Sequence, residues 1–182
     1  MLTGGHHCQT GFWKAGALSR YHLAQVNIAA LDAPLDSDQL ADFVRALEPV
    51  NAVADRAPGF VWRLQTESGD STSVAAFAAE ETVGAGIVTN LSTWVDLRSL
   101  TDFVYGPDHR ELLRRRREWF LPIRKNYAVC WWVPAHHYPT TDEAEERLAH
   151  LRAHGSTPHA FTASHSFAPP TEPQAVLQNR CP

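Results

Sequence analysis

The sequence predicts an α+β protein of the ferredoxin-like kind, in which the order β-α-β-β-α-β is followed by one further helix and one further strand. Several short segments rich in β-branched and aromatic residues alternate between two faces, as strands do. Other segments carry apolar residues at helical spacing, with start and stop signals for helices. The length of 182 residues suits one domain with one sizeable core.

The first elements are predicted to be a strand, a helix and a strand. The segment "YHLAQVNIAAL", residues 21–31, alternates well enough for a strand that has Leu23, Gln25 and Asn27 on one face. The helix follows in "LDSDQLADFVRALEPVNAVADRA", where we expect a kink or break at Pro49. The segment "FVWRLQT" then predicts a short second strand.

The middle of the chain predicts a long connection, a strand, two helices and a further strand. Residues 67–86 are small, polar and weakly periodic, as expected for a connection that can act as a lid. "IVTNLSTWVDL" predicts the third strand, and "RSLTDFVYG" predicts a short helix. A second helix is predicted from its cap, Asp108, to Phe120. "NYAVCWWVP" is short and strongly apolar, which favours a central strand.

The C-terminal part predicts one more helix and an edge strand. Thr140 and Glu143 have capping-box spacing before "TDEAEERLAHLRAHG", and Gly155 is a good helix stop. "HAFTASHSF" is typical of an edge strand. The predicted organisation is therefore a loose leader over residues 1–19, one domain over residues 20–167, and a Pro-rich tail over residues 168–182.

Helices on one face of this sheet would leave the other face, with Leu23, Gln25 and Asn27, in need of a cover. A second copy of the sheet is the simplest cover. We therefore expect a homodimer with a cavity between or within the sheets.

Composition excludes several classes of function. The net charge of −4 and the pI of about 6.2 argue against nucleic-acid binding. No apolar run approaches the roughly 20 residues of a membrane span, and the first residues lack the pattern of a signal peptide. The three cysteines are far apart, so a reduced cytoplasmic setting is expected. The chain has no P-loop, GxGxxG or GxSxG motif.

The segment "DHRELLRRRREWF" contains the two predicted catalytic residues. On a helical wheel His109 and Arg116 share a stripe with Leu112, Leu113 and Phe120, whereas the other arginines lie elsewhere and can pair with glutamates. A charge on an apolar stripe is costly unless it is paired or faces a polar cavity. His109 is the candidate acid or base and Arg116 the charge stabiliser. A capped core histidine, with an arginine bound to a carbonyl or carboxylate, is the alternative.

Amides and aromatic side chains on the strands are candidates for substrate binding. Asparagine is disfavoured in strands, so Asn27, Asn90 and the nearby Gln25 can point into a cavity, or they can satisfy backbone groups instead. The tryptophans are expected mainly in the core, with some lining a pocket. The predicted substrate-binding residues are Gln25, Asn27, Trp62, Asn90, Trp94 and Trp131.

The histidines do not predict a metal site. His150 and His154 lie one turn apart on a helix, and His136 and His137 follow the fourth predicted strand. There is no HExxH motif and no carboxylate at an obvious ligand spacing. No metal is therefore expected.

Four blocks of the chain are familiar in their order and spacing: "HLAQVNIAAL", "FVRALEPVNAVADRAPGFVWRLQ", "NLSTWVDLRSLTDFVYGPDHRELLRRRREWF" and "YAVCWWVPAHHYPTTDEAEERLAHLRAHGSTPHAFT". Together, over about residues 21–167, they resemble DUF3291, a bacterial family of undefined activity that is similar to the dimeric α+β barrel superfamily. His136 stands where the family pattern favours glycine. The resemblance implies the barrel fold and dimerisation. The superfamily includes antibiotic-biosynthesis monooxygenases, small cyclases and haem-binding enzymes.

These observations predict an enzyme of small-molecule, natural-product metabolism that needs no cofactor. It would perform acid/base-assisted cyclisation, isomerisation or cofactor-independent oxygenation in an apolar aromatic pocket. One alternative is a haem-binding enzyme or carrier with His109 as axial ligand, where haem is bound non-covalently because no CxxCH motif is present. A second alternative is a non-catalytic dimer that binds a small ligand. The expected partners are a substrate and a second copy, without nucleic acid or membrane.

Overall fold

The computed structural model describes residues 20–66, 72, 76–77 and 84–171, except for the side chain of Asp108. The predicted leader, most of the 67–86 connection and the end of the predicted tail lie outside the described residues. The elements are β1 (Tyr21–Leu31), α1 (Ala41–Asp55), β2 (Phe60–Arg63), β3 (Ile87–Trp94), α2 (Leu97–Val104), α3 (Pro107–Arg115), a 3₁₀ turn (Arg116–Glu118), β4 (Phe120–Leu121), β5 (Ala128–Pro134) and α4 (Thr141–His154).

The strands form one antiparallel sheet with five strands. The central strand is β1, which pairs with β3 on one side and with β5 and the short β4 on the other, and β2 lies outside β3. The order β2-β3-β1-β5 with antiparallel neighbours is compatible with the ferredoxin-like arrangement. The predicted α+β class is confirmed, while the centre of the sheet is β1 rather than the apolar strand β5.

Both faces of the sheet contact helices of the same chain. Ala24, Val26 and Ile28 of β1 are buried with Leu148 and Leu151 of α4. The opposite face of β1 packs through its ends against α1 and α2. The face that was expected to be covered by a second copy is therefore covered at its ends by the chain's own helices, whereas Asn90 at its middle is exposed.

The helix predicted from Asp108 to Phe120 is shorter than expected. It begins with Gly106 as cap and Pro107 in the first turn, where a missing N–H costs nothing, and it gives way to the 3₁₀ turn after Arg115. Trp119 is buried in the cluster around Leu40 and Phe43, and the next residues form β4. Burial of this tryptophan turns the chain away from the helix axis.

The predicted signals around α4 are confirmed. The Thr140 hydroxyl accepts a hydrogen bond from the Glu143 amide at 3.2 Å, and Gly155 ends the helix with φ 72°.

The predicted edge strand is reduced to a bridge, in which Phe161 exchanges backbone hydrogen bonds of 2.7 and 2.9 Å with Cys130. The chain also stays helical through Pro49, where a kink or break was predicted.

The turn after β5 has an unusual backbone conformation. His136, the residue that stands where the family pattern favours glycine, has φ 75° and an exposed side chain. This left-handed region is open to glycine but costly for a residue with a Cβ atom.

Among the described residues, no helix is both long enough and apolar enough to cross a bilayer.

Candidate functional site

A cavity of about 640 Å³ lies on the sheet face that carries Gln25 and Asn27. Its volume is within the range of small-molecule sites. Residues of β1 and β3 contribute to it, together with residues of α1, α2, α3 and the connection between β4 and β5. The cavity is thus formed within one chain, where the sheet meets the three helices on this face.

Polar side chains on β1 and β3 form a hydrogen-bonded row along the cavity. The register places Gln25 opposite Ser92 and Asn27 opposite Asn90. The Trp94 indole donates to the Ser92 hydroxyl at 3.0 Å, and the Gln25 amide donates to the Asn27 side-chain oxygen at 3.2 Å. All five line the cavity. The hydrogen bonds orient Gln25, Asn27, Ser92 and Trp94 before any ligand binds.

His109 enters the cavity from α3 with one ring nitrogen already engaged. Its Nδ1 lies 3.0 Å from the Val104 carbonyl oxygen. A carbonyl can only accept, so Nδ1 must carry the proton, which leaves Nε2 of the neutral ring as an acceptor. Burial lowers the pKa of His109 below 6.5, against a smaller opposing effect of the Val104 carbonyl. The ring is therefore neutral at neutral pH, with Nε2 available as a base.

The surroundings of His109 are aromatic. Its ring packs on Phe103 at 5.1 Å between centroids, and Phe103 stacks on Trp94 at 5.2 Å with an interplanar angle of 27°. Phe60 meets Trp94 edge-on at 5.4 Å. The cavity therefore has an apolar, aromatic region next to the histidine.

Arg116 also lines the cavity, as the first residue of the 3₁₀ turn. It is exposed, and its side chain makes no hydrogen bond or ion pair with the part of the chain that the structure describes. The alternative in which a carbonyl or carboxylate of the described chain binds this arginine therefore has no support. His109 and Arg116 both face one cavity.

Three more cations line the cavity, and sequence reasoning did not select them for the site. Arg63 of β2 is paired with Asp55, its Nε lying 2.8 Å from Oδ1, whereas Arg124 and Lys125 are exposed in the connection before β5. None of the described lining residues is an aspartate or a glutamate. The feature of the sequence that could have indicated Arg124 and Lys125 is the basic pair in "PIRKNY", directly before the fourth predicted strand.

Two of the predicted substrate-binding residues do not reach this cavity. Trp131 is buried beneath α4 and donates from its indole to Glu143 at 2.8 Å. Trp62 packs against the same core and against Tyr138, with ring centroids 5.5 Å apart. The structure thus brings together Gln25, Asn27, Asn90, Trp94, His109 and Arg116, and it places Trp62 and Trp131 on the opposite face of the sheet.

Cys130 lines the cavity from β5 as a thiol. Burial raises the pKa of its thiol to about 12. The thiolate is the reactive form, so this cysteine contributes shape and apolar surface instead of a nucleophile.

A separate polar cluster forms beside α4. Glu146, His150 and His159 offer potential ligand atoms within 4.8 Å of one another, a grouping that the sequence spacing concealed because His159 lies beyond the helix. The Arg147 guanidinium contacts the His159 ring and lies 3.5 Å from the Glu146 carboxylate. A cation of the chain itself thus already balances this carboxylate, and a metal ion would have to displace it.

The crystal structure of the NE2512 protein of unknown function from Nitrosomonas europaea is similar over 66% of this chain and 95% of that chain, with a TM-score of 0.39 and 10% identity. A likeness of this degree carries no argument about function. No curated protein matches the chain. The sequence profile of a domain of unknown function, DUF3291, matches residues 22–177, and because this match spans most of the chain, the protein belongs to the DUF3291 family.

Proposed function

We propose that the protein is a small-molecule enzyme in which His109 acts as a general base within the cavity. The single observation that carries this proposal is the Nδ1 contact with the Val104 carbonyl, because it fixes the tautomer that exposes Nε2. A base of lowered pKa stays neutral and competent at neutral pH.

The reaction that suits this site best is a proton transfer that isomerises or cyclises its substrate. Nε2 would take a proton from a carbon or hydroxyl next to a carbonyl group, the proton held by the histidine would exchange with solvent, and a proton would return from the histidine at another atom. The substrate and the product then have the same composition, so no oxidant is needed. The negative charge that develops on the carbonyl oxygen would be stabilised by Arg116 and by the Asn27 and Asn90 amides. Oxygenation of an electron-rich aromatic ring would begin with the same proton transfer but would require dioxygen as co-substrate.

The test uses His109→Asn. Asparagine can keep a donor near the Val104 carbonyl, yet it lacks the atom that corresponds to Nε2. Both proteins would be incubated with small-molecule extracts of bacterial cells in deuterium oxide and followed by mass spectrometry. We expect wild type to convert a compound into an isomer that carries solvent deuterium, and His109→Asn to lose at least about 100-fold in rate.

The pH dependence gives an independent readout of the same proposal. Because the neutral ring is the active form and burial lowers its pKa, kcat/KM for the identified substrate should stay constant at neutral pH and fall at a pH below that at which an ordinary histidine titrates, as the ring gains a proton. The base would be another group if His109→Asn retained full turnover, or if its kcat/KM fell at the same acidic pH as that of wild type.

A haem-binding role is the second candidate, and one observation favours it. A histidine that ligates a metal commonly donates its other ring N–H to a carbonyl, as His109 can to Val104. His109 would hold the haem through Nε2, and haem would supply redox chemistry. Titration of the purified protein with haemin tests this idea. A Soret band that depends on His109 supports it, and no spectral change in wild type eliminates it.

A further inference from the structure

We infer that the cavity selects an anionic amphipathic small molecule, whose carboxylate, sulfonate or phosphate group is bound by Arg116, Arg124 and Lys125 while its apolar body lies against Trp94 and Phe103. The inference rests on the proposed function, in that both require the cavity to hold a small molecule. It adds the charge of the ligand and the direction in which the ligand lies.

The charges around the cavity are the opposite of those of the whole chain. The chain has 16 lysines and arginines against 20 acidic residues, yet the described lining residues include four such cations and no carboxylate. Two neighbouring arginines outside the cavity are paired: Arg114 binds Glu111 at 3.1 Å and Arg115 binds Glu118 at 2.8 Å. Arg117, also outside the cavity, has no side-chain hydrogen bond or ion pair within the described residues. The cavity therefore differs from the surrounding surface in that several cations line it together without a carboxylate.

The cations Arg116, Arg124 and Lys125 have no hydrogen-bond or ion-pair partner from their side chains within the described ranges. Like charges that line one cavity repel each other, and an anion between them removes that repulsion and gains charge-assisted hydrogen bonds. Arg63 differs, since Asp55 already neutralises it. The anion is therefore expected to interact with the three cations that lack a carboxylate.

The topology places these cations together and away from the aromatic region. β4 pairs with Ala30 and Leu31 at one end of β1, and Arg116 precedes β4 while Arg124 and Lys125 follow it. Trp94 pairs with Leu23 near the other end of β1. Strands rise about 3.4 Å per residue, so the two regions are separated by roughly 25 Å along β1 at their extremes.

The two predicted catalytic residues lie on α3 and on the 3₁₀ turn that follows it. This segment runs from the aromatic region towards the cations. His109 packs against the aromatic region through Phe103, and Arg116 follows it by seven residues. At the rise of an α-helix this separation is about 10 Å between their backbones. A ligand with one or two rings and a charged group at the far end has the right length to contact both.

The test compares two fluorescent probes that share their rings and differ in charge. The first is 8-anilinonaphthalene-1-sulfonate, and the second is N-phenyl-1-naphthylamine, which lacks the sulfonate. Each is titrated into the full-length protein at low and high salt. We expect wild type to bind the sulfonate at least about 10-fold more tightly than the neutral probe, with the difference shrinking at high salt.

The variants assign the charge preference to named residues. Arg116→Gln and the double variant Arg124→Gln/Lys125→Gln should each weaken sulfonate binding by about 10-fold and leave the neutral probe unaffected. Arg114→Gln is the matched control, because it removes the same charge from an exposed arginine outside the cavity. Thermal unfolding followed by circular dichroism verifies that every variant is folded.

The outcomes separate this inference from the proposed function. Equal affinity for both probes, or equal loss in Arg114→Gln and Arg116→Gln, overturns the anion preference while leaving the cavity and His109 intact. Binding of neither probe by folded wild type overturns both proposals. A wild-type preference for the sulfonate that persists in His109→Asn supports the inference whatever that variant does to turnover.

Discussion

Two adjacent arginines show how much the partners of a side chain decide its role. Arg115 binds Glu118 and Asp42 and lies over the Trp119 ring, 4.8 Å from its centroid. Hydrogen bonds to these carboxylates raise the pKa of Arg115. Arg116 makes no such pair within the described chain and lines the cavity. The first arginine ties α1 to the 3₁₀ turn, and the second is available to a ligand.

The sequence separates these two arginines only in part. A helical wheel places Arg116 on the apolar stripe with His109, which identifies it as unusual. It cannot identify Asp42 as a partner of Arg115, because that contact joins residues far apart in the chain. Residue identity and local spacing therefore predicted which residues to consider, and tertiary contacts determined what each one touches.

His136 carries a testable cost of backbone conformation. At φ 75° its Cβ atom is strained, and glycine would remove this strain while adding some entropy to the unfolded chain. We expect His136→Gly to raise the free energy of unfolding by about 0.5–1 kcal/mol in urea titrations at neutral pH. His136→Ala keeps the Cβ atom and should give no such gain. A gain as large in the alanine variant would mean that the imidazole, and not the backbone, is responsible.

Among the elements, α2 depends on one side chain for its start. Asp96 accepts hydrogen bonds from the Ser99 amide at 2.7 Å and the Ser99 hydroxyl at 2.8 Å. The helix that it caps carries Phe103 and the Val104 carbonyl, which position the His109 ring. The cap therefore contributes to the geometry of the site as well as to stability.

Replacing that cap should have a measurable effect. Asp96→Ala is expected to lower the free energy of unfolding by about 1 kcal/mol, because the first-turn amide of Ser99 loses its acceptor. Asp96→Asn retains an oxygen acceptor and should lose only a few tenths of a kcal/mol, about what separates good caps from one another. Chemical denaturation of the three proteins makes the comparison. Equal losses in both variants would mean that the negative charge, and not the cap, stabilises the helix.

Element boundaries were predictable where the signal is local. Thr140 and Gly155 mark the ends of α4 in both the sequence and the structure. The end of α3 was not predictable in this way, because it depends on the burial of Trp119 against α1. The two-residue strand β4 was missed for the same reason, since its existence requires β1 as partner.

At the scale of the whole molecule, the α+β class followed from the alternation of strands and helices, but the centre of the sheet and the covering of its faces did not. Periodicity defines two faces for each strand and cannot say which helix packs on which face. Here α4 covers the Ala24–Val26–Ile28 face, and the helices on the other face leave a cavity above the amides. Residues of one chain consequently form the walls of this cavity.

The homodimer stays a prediction. A monomer has a mass of 20.3 kDa. Sedimentation equilibrium over a range of protein concentrations would distinguish this mass from the mass of a dimer, and we expect the dimer mass. A single species at the monomer mass throughout would refute dimerisation and leave the cavity unaffected.

The alternation of β1 has a consequence for how such proteins can change during evolution. The side chains of Ala24, Val26 and Ile28 are locked into the packed interior, where few replacements are tolerated. Gln25 and Asn27, which alternate with them, face the cavity and hydrogen-bond to each other. Mutations can therefore accumulate on one side of a single strand without weakening the other. A scaffold divided in this way can acquire new ligands by drift at a few positions, while its architecture is inherited unchanged.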